Sequence, residues 1–192
     1  EELFLNQMKL LLMRHWQSNG TDGVIFEKVG DKFSQFYKEK LPFTLTGAQE
    51  RVIKEVRKDL GSGKHMNRLL QGDVGSGKTM VALMVCLLAI DNGFQACLLA
   101  PTEILALQHF ESFRELIRGL SIQVAFLSGS VKGNARKQLL RLLETGEIHI
   151  LIGTHALLED PVIFRNLGIA ITDEQHRFGV RRRARNRLAL AR

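Results

Sequence analysis

Cysteine is scarce in this chain, with only Cys86 and Cys97 among 192 residues, and each sits inside an apolar run. Such a pair reads as buried free thiols in a reducing compartment and speaks against a disulfide framework. The six histidines form no ligand cluster, so no zinc site is expected. No secretory or membrane segment opens the chain. The run from Leu3 to Met13 is interrupted by Asn6, Gln7 and Lys9 and is preceded by Glu1 and Glu2, so a signal peptide or membrane span is not expected there. Internal repeats and low-complexity tracts are absent before an Arg-rich tail. A starting methionine is missing too, and Glu1 in its place leads us to expect a piece of a longer protein. What remains is ordinary for a globular domain: 45% apolar and 24% charged residues, enough chain for a substantial core.

Acidic residues are outnumbered, 20 against 27 basic, giving +7. The excess is local, because residues 181–192 hold six arginines and no acid, leaving +1 for the rest. High overall charge is therefore weak evidence for a nucleic acid partner.

The informative stretch is Gly72-Asp73-Val74-Gly75-Ser76-Gly77-Lys78-Thr79. It fits G-x-x-x-x-G-K-[ST], the loop whose backbone N–H groups cradle phosphates while Lys reaches the terminal phosphates and Thr binds Mg²⁺. Asn67 to Gln71 before it reads as a short strand. Met80 to Ile90 after it, apolar nearly all round, reads as a buried helix, whose N-terminus favours an anion. A near-copy, Gly61-Ser62-Gly63-Lys64, has His65 where Ser or Thr is needed and reads as a turn.

Around this loop the chain has an α/β pattern. Leu5, Met8, Leu12 and Trp16 fall at helical spacing, and the polar stretch Gln17 to Gly23 is a candidate boundary. Phe26, Phe33, Phe36 and Tyr37 lie among lysines and read as packing residues rather than base-stacking ones. A helix with Val52, Val56 and Leu60 on one face follows Thr46-x-x-Gln49, a capping box in which Gln49 reaches back to the cap N–H. Given the phosphate loop, Gln49 has a second reading as a hydrogen-bonding partner for adenine.

Strands are expected at Gln95–Ala100, Val124–Leu127, His149–Ile152 and Gly168–Thr172. Between them lie a helix with Ile104, Leu107, Phe110, Phe113 and Ile117 on its buried face, and another with Leu139, Leu140, Leu142 and Leu143 ending near Gly146. Apolar strands alternating with helices predict a parallel sheet covered on both faces, with ligands at the carboxyl ends of its strands. There the last strand delivers Asp173-Glu174, one carboxylate to hold Mg²⁺ and one to activate the attacking water.

Asp173-Glu174-Gln175-His176, together with the phosphate loop, resembles superfamily 2 helicases and translocases. The resemblance is closest to the bacterial RecG family of ATP-dependent DNA helicases. It rests on Leu41-Pro42-Phe43-x-Leu45-Thr46-x-x-Gln49, Met66 to Thr79, Ala100-Pro101-Thr102-Glu103-Ile104-Leu105-Ala106, Gly153-Thr154-His155-Ala156-Leu157 and Asp173 to Val180. The related transcription-repair coupling translocase shares most of these but usually reads DEEH, so Gln175 favours RecG.

The resemblance implies a three-layer RecA-like P-loop NTPase domain over residues 41–192, with 1–40 as a helical lead-in. It further implies the following roles. Phe43 and Gln49 meet adenine; residues 72–79 bind phosphate; Lys78, Asp173, Glu174 and His176 are catalytic, His176 by coupling the ATP site to bound DNA. Thr79 and Asp173 hold Mg²⁺, and Thr102, Gly129, Ser130, Thr154 and His155 touch the DNA backbone. The parent would use ATP and Mg²⁺ to remodel branched DNA such as stalled forks and Holliday junctions in the bacterial cytoplasm, working with a second RecA-like domain and a wedge domain. Two departures stand out: Arg182 replaces a usual Gln, and the tail from Arg183 does not look like a family continuation. Alternatives are the coupling translocase, a P-loop ATPase without a nucleic acid role, and a nucleotide-binding piece without turnover.

Overall fold

In the computed structural model the residues that can be described are 23–159 and 161–173. The expected helix carrying Leu5 to Trp16, most of the polar boundary, and everything after Asp173 lie outside them. The described residues fall into two compact units: residues 23–27 with 45–78, and residues 28–44 with 79–159 and 161–173. One division falls between Lys78 and Thr79, inside the phosphate-loop signature.

The first unit is built on one helix, α2 (Gly47–Leu60). Its start follows from chemistry at Thr46: the Thr46 hydroxyl accepts from the Gln49 N–H, and Gln49 Oε1 accepts from the Thr46 N–H at 2.9 Å. Ile53, Val56 and Leu60 are its buried residues, so Ile53 rather than Val52 begins the apolar face. Beyond it, Gly61 to Lys64 form the expected turn, with Gly63 at φ +71°. Residues 23–26 run extended beside this helix end, Gly23 N–H donating to Gly63 O and Phe26 N–H to Leu60 O.

Residues 67–71 do not form the expected strand; they are irregular and exposed, Leu69 at 76%. A β run needs a hydrogen-bonded neighbour and a buried face. This one instead carries Arg68, whose guanidinium bonds Glu55 at 2.7 Å and Asp59 at the exposed side of α2.

In the second unit, α1 (Asp31–Gln35) and a π-helical turn at Phe36–Lys40 form the described part of the lead-in. The Asp91 carboxylate caps α1, accepting from the N–H groups of Gly30, Lys32 and Phe33. Phe36 is fully buried and Phe33 stacks on Tyr37, so these aromatics serve packing. Helix α3 (Lys78–Asp91) buries nine of its residues and is apolar all round. Then come β1 (Gln95–Leu99), α4 (Glu103–Leu116), β2 (Val124–Leu127), α5 (Gly133–Thr145), β3 (Ile150–Gly153) and β4 (Leu167–Thr172). Gly146, at φ +84°, ends α5 in the left-handed conformation that glycine permits.

The four strands make one parallel sheet, in the order β2-β3-β1-β4. Cys97, Leu99, Leu127 and Leu151 share one face with Leu139, Leu140 and Leu143 of α5. Phe126, on the other face, meets Phe110 of α4, so helices cover both sides. Buried Gln95 joins three elements: its Nε2 donates to Leu143 O and Ile148 O, and its Oε1 accepts from Asn166 N–H. Burial pushes the Cys97 thiol up to about 12 and raises Cys86 further, so both stay protonated.

One helix face differs from its reading. In α4 the buried residues are Ala106 and Phe113, continuing to Ile117, whereas Ile104 is 74% and Leu107 42% exposed. A small residue faces inward there and two large aliphatic ones face out.

Candidate nucleotide and nucleic-acid sites

Residues 73–77 form a tight turn leading into α3, with Ser76 N–H donating to Asp73 O at 3.2 Å. Gly75 and Gly77 adopt φ +80° and +78°, which L side chains rarely enter. A Cβ on Gly77 would also collide with Gln49 Nε2, and one on Gly72 would lie 2.8 Å from Ser76 Oγ. Glycine is thus favoured by backbone conformation at Gly75 and Gly77, while the side-chain ends beside Gly72 and Gly77 could shift. Val74 is fully exposed, leaving the turn open to a ligand. Lys78 Nζ bends back over the loop, donating to Gly72 O and Asp73 O at 2.7 Å each.

Gln49 performs two jobs at once. Its Oε1 closes the capping box, while its Nε2 donates to Ser76 O at 2.9 Å, tying α2 to the phosphate loop. The capping box is thus present, and the same side chain also fixes a carbonyl of the phosphate loop. Phe43, described within the second unit, is 47% exposed.

In the second unit, Asp173 follows β4 directly and its N–H donates to Leu99 O at 2.8 Å. Its Oδ2 accepts from His109 Nε2 of α4 at 2.9 Å, a residue that no motif in the sequence singles out. The available signal was weak: His109 lies between Ala106 and Phe113 on the face that turns inward. Glu174 and His176 lie outside the described residues.

The residues expected at the DNA backbone lie on three connections at strand ends. Thr102 caps α4, its hydroxyl accepting from Leu105 N–H. Ser128 and Ser130 both donate to Glu103 Oε1, at 2.9 and 2.5 Å, and these hydroxyls hold the Glu103 carboxyl below its ordinary value, Ser130 contributing more. Thr154 is 5% exposed and its N–H donates to Leu127 O, so His155, with a 75% exposed side chain, is the outward member of that pair.

The donor sets fit the expected groups. A glycine turn plus an ammonium suits a polyphosphate, and one hydroxyl (Thr79) with one carboxylate (Asp173) suits Mg²⁺, which keeps waters and takes few protein ligands. Among the described residues no group of three or more His, Cys, Asp or Glu gathers for an all-protein metal cage, and no helix is long and apolar enough to cross a membrane.

Comparison with known proteins adds three findings. The DEAD/DEAH box helicase family model matches residues 46–191. The ATP-dependent DNA helicase RecG of Aquifex aeolicus is 48% identical over 183 residues, covering 95% of this chain and 23% of its own length. That of Bacillus subtilis is 49% identical over 187 residues, 97% of this chain and 27% of the relative. A solved structure, RecG bound to a three-way DNA junction, aligns with TM-score 0.83 and 42% identity over 92% of this chain and 24% of that one. This chain therefore spans about a quarter of the length of such relatives. The family match extends to residue 191.

Proposed function

The chain belongs to the DEAD/DEAH box helicase family, and from that premise we propose that it is the ATP-binding first motor domain of a RecG-type DNA helicase. The observation that carries this reading is the phosphate loop with Gln49 and Lys78 closed upon it. The substrate of the full-length protein is branched DNA, a reading supported by the similar RecG structure bound to a three-way DNA junction. Its partners are a second RecA-like domain and a wedge domain of the same chain, and its place is the bacterial cytoplasm.

When bound, Mg²⁺ and ATP supply the scissile phosphoanhydride and a Lewis acid for the charge on the transferring phosphoryl group. The chain's own residues do the rest. Lys78 leaves the carbonyls of Gly72 and Asp73 for the phosphates, so it is stored within reach of its task. Gln49 Nε2 fixes the Ser76 carbonyl; Gln49 and Phe43 are each assigned to adenine by the family resemblance. Thr79 and Asp173 hold the metal, Glu174 accepts the proton of the attacking water, and His176 relays the state of the site to bound DNA. Thr102, Gly129, Ser130, Thr154 and His155 provide small polar contacts to the strand backbone, suited to a motor that reads no sequence.

Calorimetric titration of Mg-ADP into the full-length protein tests the reading. Lys78→Ala is expected to abolish binding with an unchanged circular dichroism spectrum and melting temperature, because Lys78 touches loop carbonyls and no core. Wild-type affinity in the variant would defeat it.

A further inference from the structure

One helix carries the contacts of two different functional regions. At its N-terminal end, α4 presents Glu103, whose Oε1 accepts both the Ser128 and Ser130 hydroxyls. The two hydroxyls lie 2.7 Å apart, so the carboxylate and the turn after β2 form one small hydrogen-bonded knot. Six residues on, about 9 Å along a helix axis at 1.5 Å per residue, His109 donates to the Asp173 carboxylate. His109 is 15% exposed and Asp173 33%. The Asp173 backbone is held separately, by its N–H on Leu99 O at the end of β1. Backbone and side chain of Asp173 are thus fixed from opposite ends of the Leu99–His109 segment.

We propose that His109 is a positioning residue for the Asp173 carboxylate, and that the segment of α4 from Glu103 to His109 is a rigid link between that carboxylate and the turn at residues 128–130. The assignment rests on the reading of Asp173 as an Mg²⁺ ligand and of that turn as a DNA contact, and it gives the link between them a physical body. Aspartate has few rotamers, and a hydrogen bond to one carboxylate oxygen selects among them, leaving Oδ1 for the metal. A displacement of the 128–130 turn by a DNA strand moves Glu103, and the helical segment held at Glu103 and at His109 transmits that movement to His109 rather than absorbing it. Coupling of this kind is reciprocal: whatever DNA does to nucleotide affinity, nucleotide does to DNA affinity by the same factor.

The experiment is a titration of fluorescent ADP into the full-length protein, with Mg²⁺ and with EDTA, each with and without a forked duplex. The Mg²⁺ enhancement of ADP affinity is expected to fall about 10–100-fold in His109→Ala, the range found when a ligand loses its supporting hydrogen bond. His109→Gln, which keeps an N–H donor, should recover most of it. The factor by which the duplex changes Mg-ADP affinity should shrink toward one in both His109→Ala and Glu103→Ala. A wild-type Mg²⁺ enhancement in His109→Ala overturns the proposal, as does His109→Gln behaving like His109→Ala, or a wild-type duplex factor in either alanine variant. Lys78→Ala separates the two levels. If it binds ADP as wild type does, the nucleotide reading itself has failed; if it loses ADP while His109→Ala keeps its Mg²⁺ enhancement, only the positioning role has failed.

Discussion

Gln49 shows what a single side chain carries and what a sequence can reveal of it. The capping box was legible because its two partners lie three residues apart, within one turn of helix. The bond from Nε2 to Ser76 O spans 27 residues and has no local signature. The two functions can be separated by one atom. Gln49→Glu retains the Oε acceptor for the Thr46 N–H but replaces the donor facing Ser76 O with a second acceptor. We expect its melting temperature to change little and its affinity for ATP to fall about 10-fold, the effect of losing one hydrogen bond worth about 1 kcal/mol and opposing two oxygens. Gln49→Ala, losing both, should also destabilise the fold by about 1 kcal/mol. Denaturant titration and nucleotide titration of the two variants check this, and an unchanged ATP affinity in Gln49→Glu would assign Gln49 to the cap alone. His109 was illegible for the opposite reason: a polar residue on a helix reads as solvent-facing until its partner, 64 residues away, is in place.

At the scale of elements, β1, β3 and α3 were legible because burial on both sides leaves continuous apolar runs. Residues 67–71 misled because Leu69 and Leu70 imitate such a run while Arg68 is tied to α2 by two carboxylates. The face of α4 misled because large aliphatic residues at 104 and 107 outweighed Ala106 in the pattern, whereas the space beside the sheet accepts the small side chain. The end of β3 offers the sharpest test of packing at this scale. A Cβ on Gly153 would lie inside contact distance of Leu127 O and Leu157 Cδ1, a backbone oxygen and a buried side chain. Gly153→Ala must therefore part β2 from β3 just where the 128–130 and 154–155 connections leave the sheet. We expect a loss of at least about 1–3 kcal/mol, typical of forced overpacking, together with weakened DNA binding by the full-length protein. Chemical denaturation checks the first and a fork-binding titration the second; an unaltered midpoint would mean that the strands tolerate separation there.

For the whole molecule, the proposed site offers groups for holding nucleotide, and rapid hydrolysis asks for one group more. A cleft between two motor domains brings arginines to the transferring phosphate, and such a finger contributes ~10³–10⁵ in rate where it operates. The six arginines of residues 181–192 supply charge instead, and charge alone gives an affinity for DNA that is indifferent to branching and falls steeply with salt. The fold class was readable from alternation of strands and helices, and the family from short motifs; the proposed preference for branched DNA was not, because no described element of this chain encloses a junction. The central claim is that this chain is the nucleotide-holding half of a DNA-driven motor. The most direct measurement is steady-state ATP hydrolysis by the 192-residue chain and by the full-length protein, each with and without a forked duplex. We predict fork-stimulated turnover by the full-length protein and background turnover by the chain alone under both conditions. Fork-stimulated hydrolysis by the chain alone would contradict the account, as would full-length turnover that ignores DNA.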